Sequence, residues 1–123
     1  EVSKAIAAGF VAQELDMHKA DLLGQRYDAI MARHVLEHSP CPMLVLHKLH
    51  EIAKPNALLY VEVQAGGTCC THEHNENHFA ILSYYCWIET IARSGFRLCS
   101  AGQIPVSTLC GIDIYFSFIA LTK

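Results

Sequence analysis

Residues 27–38 have the sequence YDAIMARHVLEH, in which an apolar, strand-like segment runs directly into a polar cluster. The cluster begins at Arg33 and His34 and ends at Glu37 and His38. Open α/β sheets bind their ligands at the carboxyl ends of their strands. The stretch therefore predicts a buried strand with a candidate binding site at its end.

The residues that follow predict a helix and then a second strand. Ser39-Pro40-Cys41-Pro42 interrupts the chain, and the apolar positions of residues 43–52 predict a helix with one buried face. A turn is expected at Lys54-Pro55-Asn56-Ala57. Residues 58–63, LLYVEV, then have the composition of a buried strand.

The flanking segments extend this alternation. We expect a short helix that Gly9 ends, a brief strand at residues 10–12, and a helix that begins at Ser83 and ends at Ser94-Gly95. Two final strands are expected at residues 96–99 and 112–121. The series predicts an α/β fold with a mostly parallel sheet, helices on both faces and a C-terminal antiparallel hairpin.

Composition limits the class of protein. A chain of 123 residues with 52% apolar residues suits one small domain, spanning residues 1–123. The formal net charge of −3 gives no basic footprint, so we expect no nucleic-acid partner. Apolar runs are too short for a membrane span, and six scattered cysteines favour reduced thiols in a cytoplasmic protein. Composition does not indicate an oligomeric state.

Two motifs resemble class I S-adenosylmethionine-dependent methyltransferases. They are VLEH at residues 35–38 and AKPNALLYVEV at residues 53–63, where the family often has paired glycines in place of Asn56-Ala57. The resemblance implies a Rossmann-like fold and S-adenosylmethionine as cofactor. It also implies methyl transfer to a small-molecule acceptor, with O-, N- and C-methylation all open.

The family's glycine-rich loop, which follows its first strand, has no counterpart in these residues. Gly66-Gly67 follows a later strand and precedes no helix. The resemblance therefore implies a partial domain, the C-terminal portion of a longer protein without the first strand and its loop. In that register Glu1 occupies the position of the acid that binds both ribose hydroxyls.

The resemblance also indicates residues that bind the cofactor. Asp16 lies where the family contacts adenine, and Met17 is placed to pack on the ring, although Asp21 is a competing acid. Arg33 and His34, at the end of the predicted strand, are expected to face the cofactor crevice.

Catalytic and substrate-binding residues are expected on both sides of that crevice. His34 can take a proton from the acceptor, because the pKa of an imidazole lies near neutrality. Glu37 and His38 follow by about one helical turn and are expected to bind substrate. His78, in an HF pair that the family often places on its substrate-covering loop, is a second candidate base and substrate ligand.

The stretch from Cys69 to His78 contains two cysteines and three histidines, at His72, His74 and His78. These residue types are zinc ligands. Adjacent cysteines rarely bind one ion together, however, and the spacing fits no standard zinc pattern. We therefore expect a substrate-side loop and no metal.

Two other functions remain open. The chain is alternatively a non-catalytic, truncated remnant that serves as an interaction module. It is less favoured as a metal-binding domain that uses the Cys69–His78 loop.

Overall fold

The strand–helix–strand series expected around residues 27–63 is present in the computed structural model. The structure describes residues 1–123, apart from the side chains of residues 22 and 23. Its elements are α1 (Val2–Ala7), β1 (Tyr27–Arg33), α2 (Pro42–Glu51), β2 (Ala53–Gln64), α3 (Tyr84–Arg93), β3 (Phe96–Thr108) and β4 (Gly111–Thr122). Short 3-10 helices lie at Met17–Leu23, Leu36–His38 and His72–His74.

The four strands form one sheet in the order β1-β2-β4-β3. Only β1 and β2 are parallel, and β4 pairs antiparallel with both β2 and β3. The expectation of a mostly parallel sheet was therefore wrong: the sheet is mixed. The cause is the final hairpin, which inserts β4 between two strands that a helical crossover would otherwise have placed side by side.

The turn expected at residues 54–57 does not form, because these residues lie within β2, where Asn56 gives the strand an irregular backbone. This residue has a φ of 60°, in the left-handed region, where asparagine is tolerated better than most residues. The pairing of β1 with β2 shifts register here, between Tyr27 and Ala29. Asn56 thus adopts a left-handed backbone at a position where the family that the sequence resembles often has glycine.

The brief strand expected at residues 10–12 does not form. These residues lie in neither helix nor strand, and the side chains of Phe10 and Val11 are exposed. A strand needs a neighbour for its backbone N–H and C=O groups. In the described part of the chain, no strand pairs with this segment.

One face of the sheet carries the core. Leu59, Val61 and Phe118 alternate inward along β2 and β4 and belong to the same buried cluster as Leu46 of α2 and Trp87 of α3. On the opposite face, the side chains of Met31, Leu58 and Ile119 are 66%, 42% and 39% exposed. The helices α2 and α3 therefore both cover one face of the sheet, whereas the sequence predicted helices on both faces.

Two further predictions from the sequence concern the cysteines and the absence of a membrane span. All six cysteines are free thiols. Within the described residues, no helix combines the length and hydropathy that a membrane span requires.

The start of α3 gives a test of the local structure. The Ser83 hydroxyl accepts a hydrogen bond from the Cys86 N–H at 3.3 Å, as expected of a helix N-cap. We predict that Ser83→Ala lowers the free energy of unfolding by about 1 kcal/mol. Urea unfolding measures this change, and Ser83→Asp, which keeps a capping oxygen, should retain wild-type stability. Equal stability of Ser83→Ala and wild type would contradict the capping role.

Candidate functional site

The carboxyl ends of β1 and β2 bring together a buried acid and two basic side chains. Glu62, on β2, is 6% exposed. Its Oε1 lies 2.8 Å from Nε of Arg33 and 3.2 Å from Nε2 of His34. The Tyr60 hydroxyl donates to Oε2 of Glu62 at 2.6 Å. Two of the residues predicted from the sequence, Arg33 and His34, thus converge on an acid that the sequence analysis did not single out.

The backbone at His34 has an uncommon conformation. Its φ of 51° lies in the left-handed region, which costs a non-glycine residue of order 1–3 kcal/mol. A hydrogen bond from the His34 N–H to the Glu62 carbonyl, at 2.9 Å, holds it. The imidazole then packs edge-on against Tyr115, with ring centroids 4.7 Å apart. Such backbone outliers concentrate at functional sites.

The charge at the centre of this cluster is fixed by its neighbours. Burial acts to raise the pKa of Glu62, but hydrogen bonds from Tyr60 and Arg33 and the charge of Arg33 outweigh it. The pKa of Glu62 is therefore lower than usual, and the side chain is a carboxylate at neutral pH. The same carboxylate raises the pKa of Tyr60, mainly through their hydrogen bond.

One nitrogen of the His34 ring, Nε2, lies close to this acid. Nε2 is buried and, although close to Glu62, is not aligned for a hydrogen bond with any described residue. A carboxylate at this distance favours a proton on Nε2. With the proton on Nε2, Nδ1 is the ring nitrogen that carries the free lone pair.

His38 and His78 form a second group beside the first. Their ring centroids are 4.9 Å apart. The loop that carries His78 is bound to the Leu36–His38 helix, because the Phe79 and Ala80 N–H groups both donate to the Glu37 carbonyl. The loop after β2 and the polar cluster after β1 therefore form one continuous surface.

The hydrogen bonds of His78 make it a poorer base than His34. Its Nδ1 lies 2.9 Å from the His72 carbonyl, and its Nε2 lies 3.4 Å from the Asn75 side-chain amide. A carbonyl only accepts, so Nδ1 carries the proton. Both ring nitrogens are thus engaged within the loop, which favours a substrate-contacting role for His78.

Glu37 lies inside the protein. Its side chain is fully buried, and neither carboxylate oxygen has a hydrogen-bond partner among the described residues. This burial argues against the direct contact with substrate that the sequence analysis expected of it. Glu37 instead contributes its backbone carbonyl, which accepts the two hydrogen bonds that hold the loop.

Asp16 and Met17 start the Met17–Leu23 helix. The Asp16 carboxylate accepts from the His18 N–H and lies 2.7 Å from the His18 ring, and these contacts lower its pKa. Its side chain is still 53% exposed. Met17 is partly buried against the core. The pair is thus fixed in position, with the acid at the surface, and its role toward adenine stays a prediction.

The ring of His18 links Asp16 to Ser39, whose Oγ lies 2.8 Å from Nε2. The order serine, histidine, aspartate is that of a hydrolase triad. Ser39, however, is fully buried, and its Oγ accepts from the Cys41 N–H at 3.0 Å. The chain of hydrogen bonds therefore ties residues 16–18 to Ser39, which directly follows the polar cluster.

Glu1 stands apart from these groups. It precedes α1, and its carboxylate lies 3.3 Å from Lys4 Nζ, with the Glu1 side chain 93% exposed. Its role toward ribose stays a prediction.

A third polar group lies further along the same surface. The ligand atoms of Cys70, His72 and Asp113 all lie within 4.8 Å of one another. Asp113 belongs to β4, and Tyr115, two residues on, contacts His34. Burial and the charges of Asp113 and Cys70 raise the pKa of Tyr115.

Sequence reasoning missed Glu62, Tyr115 and Asp113. A signal existed for Glu62, since an acid near the end of an otherwise apolar strand is rarely buried without a partner. Tyr115 and Asp113 gave no comparable signal, because their proximity to the site depends on the position of β4 within the sheet.

Comparison with known proteins defines the class. A sequence model of the family described as "Methyltransferase domain" matches residues 3–84, more than half of the chain. The chain therefore belongs to this methyltransferase-domain family. No curated protein matches it.

Solved structures resemble the fold at low sequence identity. A SAM-dependent methyltransferase from Methanosarcina mazei has a TM-score of 0.64 and 12% identity, covering 84% of this chain and 64% of that one. The N-methyltransferase NodS from Bradyrhizobium japonicum WM9, in complex with S-adenosyl-L-homocysteine, has a TM-score of 0.59 and 12% identity, covering 80% and 47%. The 4+2 cyclase SpnF has a TM-score of 0.69 and 13% identity, covering 98% and 60%.

These matches establish the Rossmann-like methyltransferase fold. The chain spans less than two thirds of the length of each of these three structures. One of them is named a cyclase, so the fold alone does not define the reaction.

Proposed function

We propose that this chain is part of an S-adenosylmethionine-dependent methyltransferase that methylates a small-molecule acceptor. The observation that carries the proposal is the His34–Glu62 pair, which lies at the carboxyl end of two parallel strands. Ligands bind at this edge in open α/β sheets. The family match covers both residues. A cytoplasmic setting, expected from the six thiols, is part of the same proposal.

The residues present fit one end of the cofactor. Asp16 offers a surface carboxylate to an exocyclic amine and Met17 an apolar contact, and Arg33 and His34 are proposed to contact the cofactor at the end of β1. Glu1 is proposed for the ribose. When bound, S-adenosylmethionine supplies a methyl group on an electrophilic sulfonium. The glycine-rich loop that the family uses for the other end of the cofactor is not among these residues.

The catalytic role of the chain is to position the acceptor and remove its proton. His38 and His78 face each other across the surface beside His34 and are proposed to hold the acceptor. Glu62 orients the His34 ring, and Nδ1 of His34 takes the acceptor's proton as the methyl group arrives. Proximity then contributes much of the rate, as for any bimolecular displacement.

Cofactor binding tests the proposal. The 123-residue chain should bind S-adenosylmethionine more weakly than about 1 μM, roughly −8 kcal/mol, because part of the family's cofactor site lies outside it. A longer protein that includes a strand and a glycine-rich loop before Glu1 should bind in the micromolar range or tighter. Isothermal calorimetry measures both.

The controls are carried out in the longer protein. Asp16→Asn should weaken cofactor binding about tenfold, the scale of one lost hydrogen bond to a charged group. Asp28→Asn makes the same change at an exposed acid of β1 that pairs with Lys54, and it should leave the affinity unchanged. A longer protein that binds no cofactor would refute the proposal.

A second candidate, a non-catalytic interaction module, is favoured by one observation. The sheet face that carries Met31, Leu58 and Ile119 is exposed. A longer protein that binds neither the cofactor nor its demethylated product would favour this candidate.

A further inference from the structure

The loop after β2 and the start of β4 bring together three side chains of different chemistry. Cys70 and His72 come from the loop, and Asp113 comes from the strand. Their thiol, imidazole and carboxylate atoms lie within 4.8 Å of one another. Residues 72 and 113 are 41 positions apart in the sequence. No spacing rule applied to the loop alone would have shown this group.

Asp113 is the buried member of the group. It is 1% exposed, its Oδ1 accepts from the Ile114 N–H at 2.9 Å, and its Oδ2 lies 2.7 Å from His72 Nε2. A carboxylate oxygen and an imidazole nitrogen are therefore already held in contact, with Asp113 almost completely removed from solvent.

The donor set matches one class of cation. Thiolate, imidazole and carboxylate together are ligands that zinc accepts in tetrahedral sites, whereas calcium and magnesium require oxygen donors. One thiolate and one carboxylate carry two negative charges, which balance a divalent cation. The site is also partly open to solvent, because Cys70 and His72 are partly exposed and Cys69 is exposed.

We propose that Cys70, His72 and Asp113 form a zinc site that fastens the loop after β2 to β4. In metal sites of this kind, adjacent ligand atoms lie roughly 3.3 Å apart or more. The His72–Asp113 contact therefore opens by about half an ångström when the ion enters. The Cys70 thiol releases its proton to solvent as the zinc–sulfur bond forms, and the remaining proton of the His72 ring resides on Nδ1.

The fourth ligand is water or Cys69. Cys69 Sγ lies 3.9 Å from Cys70 Sγ and donates a hydrogen bond to the Ile112 carbonyl at 3.3 Å. Adjacent cysteines rarely bind one ion together, so we assign the position to water. The three protein ligands then link the loop to β4, and the fourth position is exchangeable.

The proposal does not rest on methyl transfer, since cation binding is measured without cofactor or acceptor. The test uses the full 123-residue chain under reducing conditions, with chelator removed. Zinc is titrated in competition with a chromophoric chelator. The chain should bind one zinc ion in the micromolar range or tighter. Cobalt in its place should give a thiolate-to-cobalt charge-transfer band.

Substitutions identify the ligands. Cys70→Ser and Asp113→Asn should each weaken zinc binding about a hundredfold or more. The control is Cys86→Ser, the same change at an exposed cysteine of α3, which should bind zinc like the wild type. Circular dichroism of each variant without metal checks that the fold is retained. His72→Gln, which keeps a polar side chain, provides a further test if Asp113→Asn is poorly folded.

Three outcomes would overturn the proposal. The first is an absence of stoichiometric zinc at micromolar concentrations. The second is equal affinity in Cys70→Ser and Cys86→Ser. The third is zinc binding that depends on Cys69 and Cys70 but not on His72 or Asp113, which would indicate capture by an adjacent thiol pair. A Cys69→Ser variant that binds zinc like the wild type supports water as the fourth ligand.

Discussion

In a longer protein that includes a strand and a glycine-rich loop before Glu1, His34→Ala should lower the turnover number about a hundredfold or more, the scale of losing a general base. The physical reason is the geometry of the ring. Glu62 lies 3.2 Å from Nε2 and orients the imidazole, which leaves Nδ1 to accept the proton. Cofactor affinity should change little, because the residues proposed to bind adenine and ribose are Asp16, Met17 and Glu1. Steady-state kinetics and a cofactor titration measure the two effects separately.

The matched control is His47→Ala, which removes an exposed histidine of α2 and should leave turnover unchanged. His78→Ala should act on the Michaelis constant for the acceptor, because His78 is proposed to hold the acceptor and both its ring nitrogens are engaged within the loop. If His34→Ala kept the full turnover number, His34 would not be the general base. His34 would then be a packing residue against Tyr115, beside a site that works by proximity alone.

The local part of the fold could be predicted from the sequence because its signals are local. The apolar run of β1, the proline at the first turn of α2 and the serine that caps α3 each act on neighbouring residues. The order of strands could not be predicted in the same way. Whether β4 lies at the edge or between β2 and β3 depends on pairing across the sheet, and its own sequence suits both positions.

The residues of the candidate site also divide into those with a local sequence signal and those placed by pairing between strands. Arg33 and His34 were predicted because they end a strand, and a strand end has a known relation to ligands. Their partner Glu62 comes from the parallel neighbour, 29 residues from Arg33. The strand expected at residues 10–12 failed for a related reason, since an apolar triplet becomes a strand only beside another strand.

Glu62→Gln should lower the free energy of unfolding at neutral pH by about 2 kcal/mol, the scale of hydrogen bonds to a charged group. The amide has nearly the same shape as the carboxylate, so the core is undisturbed. It has no charge, however, to attract Arg33 at 2.8 Å, and only one oxygen to accept from Arg33 and Tyr60. Urea unfolding at a series of pH values measures the difference.

The difference should depend on pH in a direction that the pKa of Glu62 fixes. That pKa lies below the ordinary value of 4.5 in the folded protein, so ionised Glu62 stabilises the folded state. The advantage of wild type over Glu62→Gln is complete above 4.5 and disappears as the pH falls through the lowered folded value. The control is Glu89→Gln, which breaks an exposed pair with Arg93 at 3.2 Å and should change stability little at any pH. A difference between wild type and Glu62→Gln that persists unchanged at low pH would mean that the Glu62 charge does not stabilise the fold.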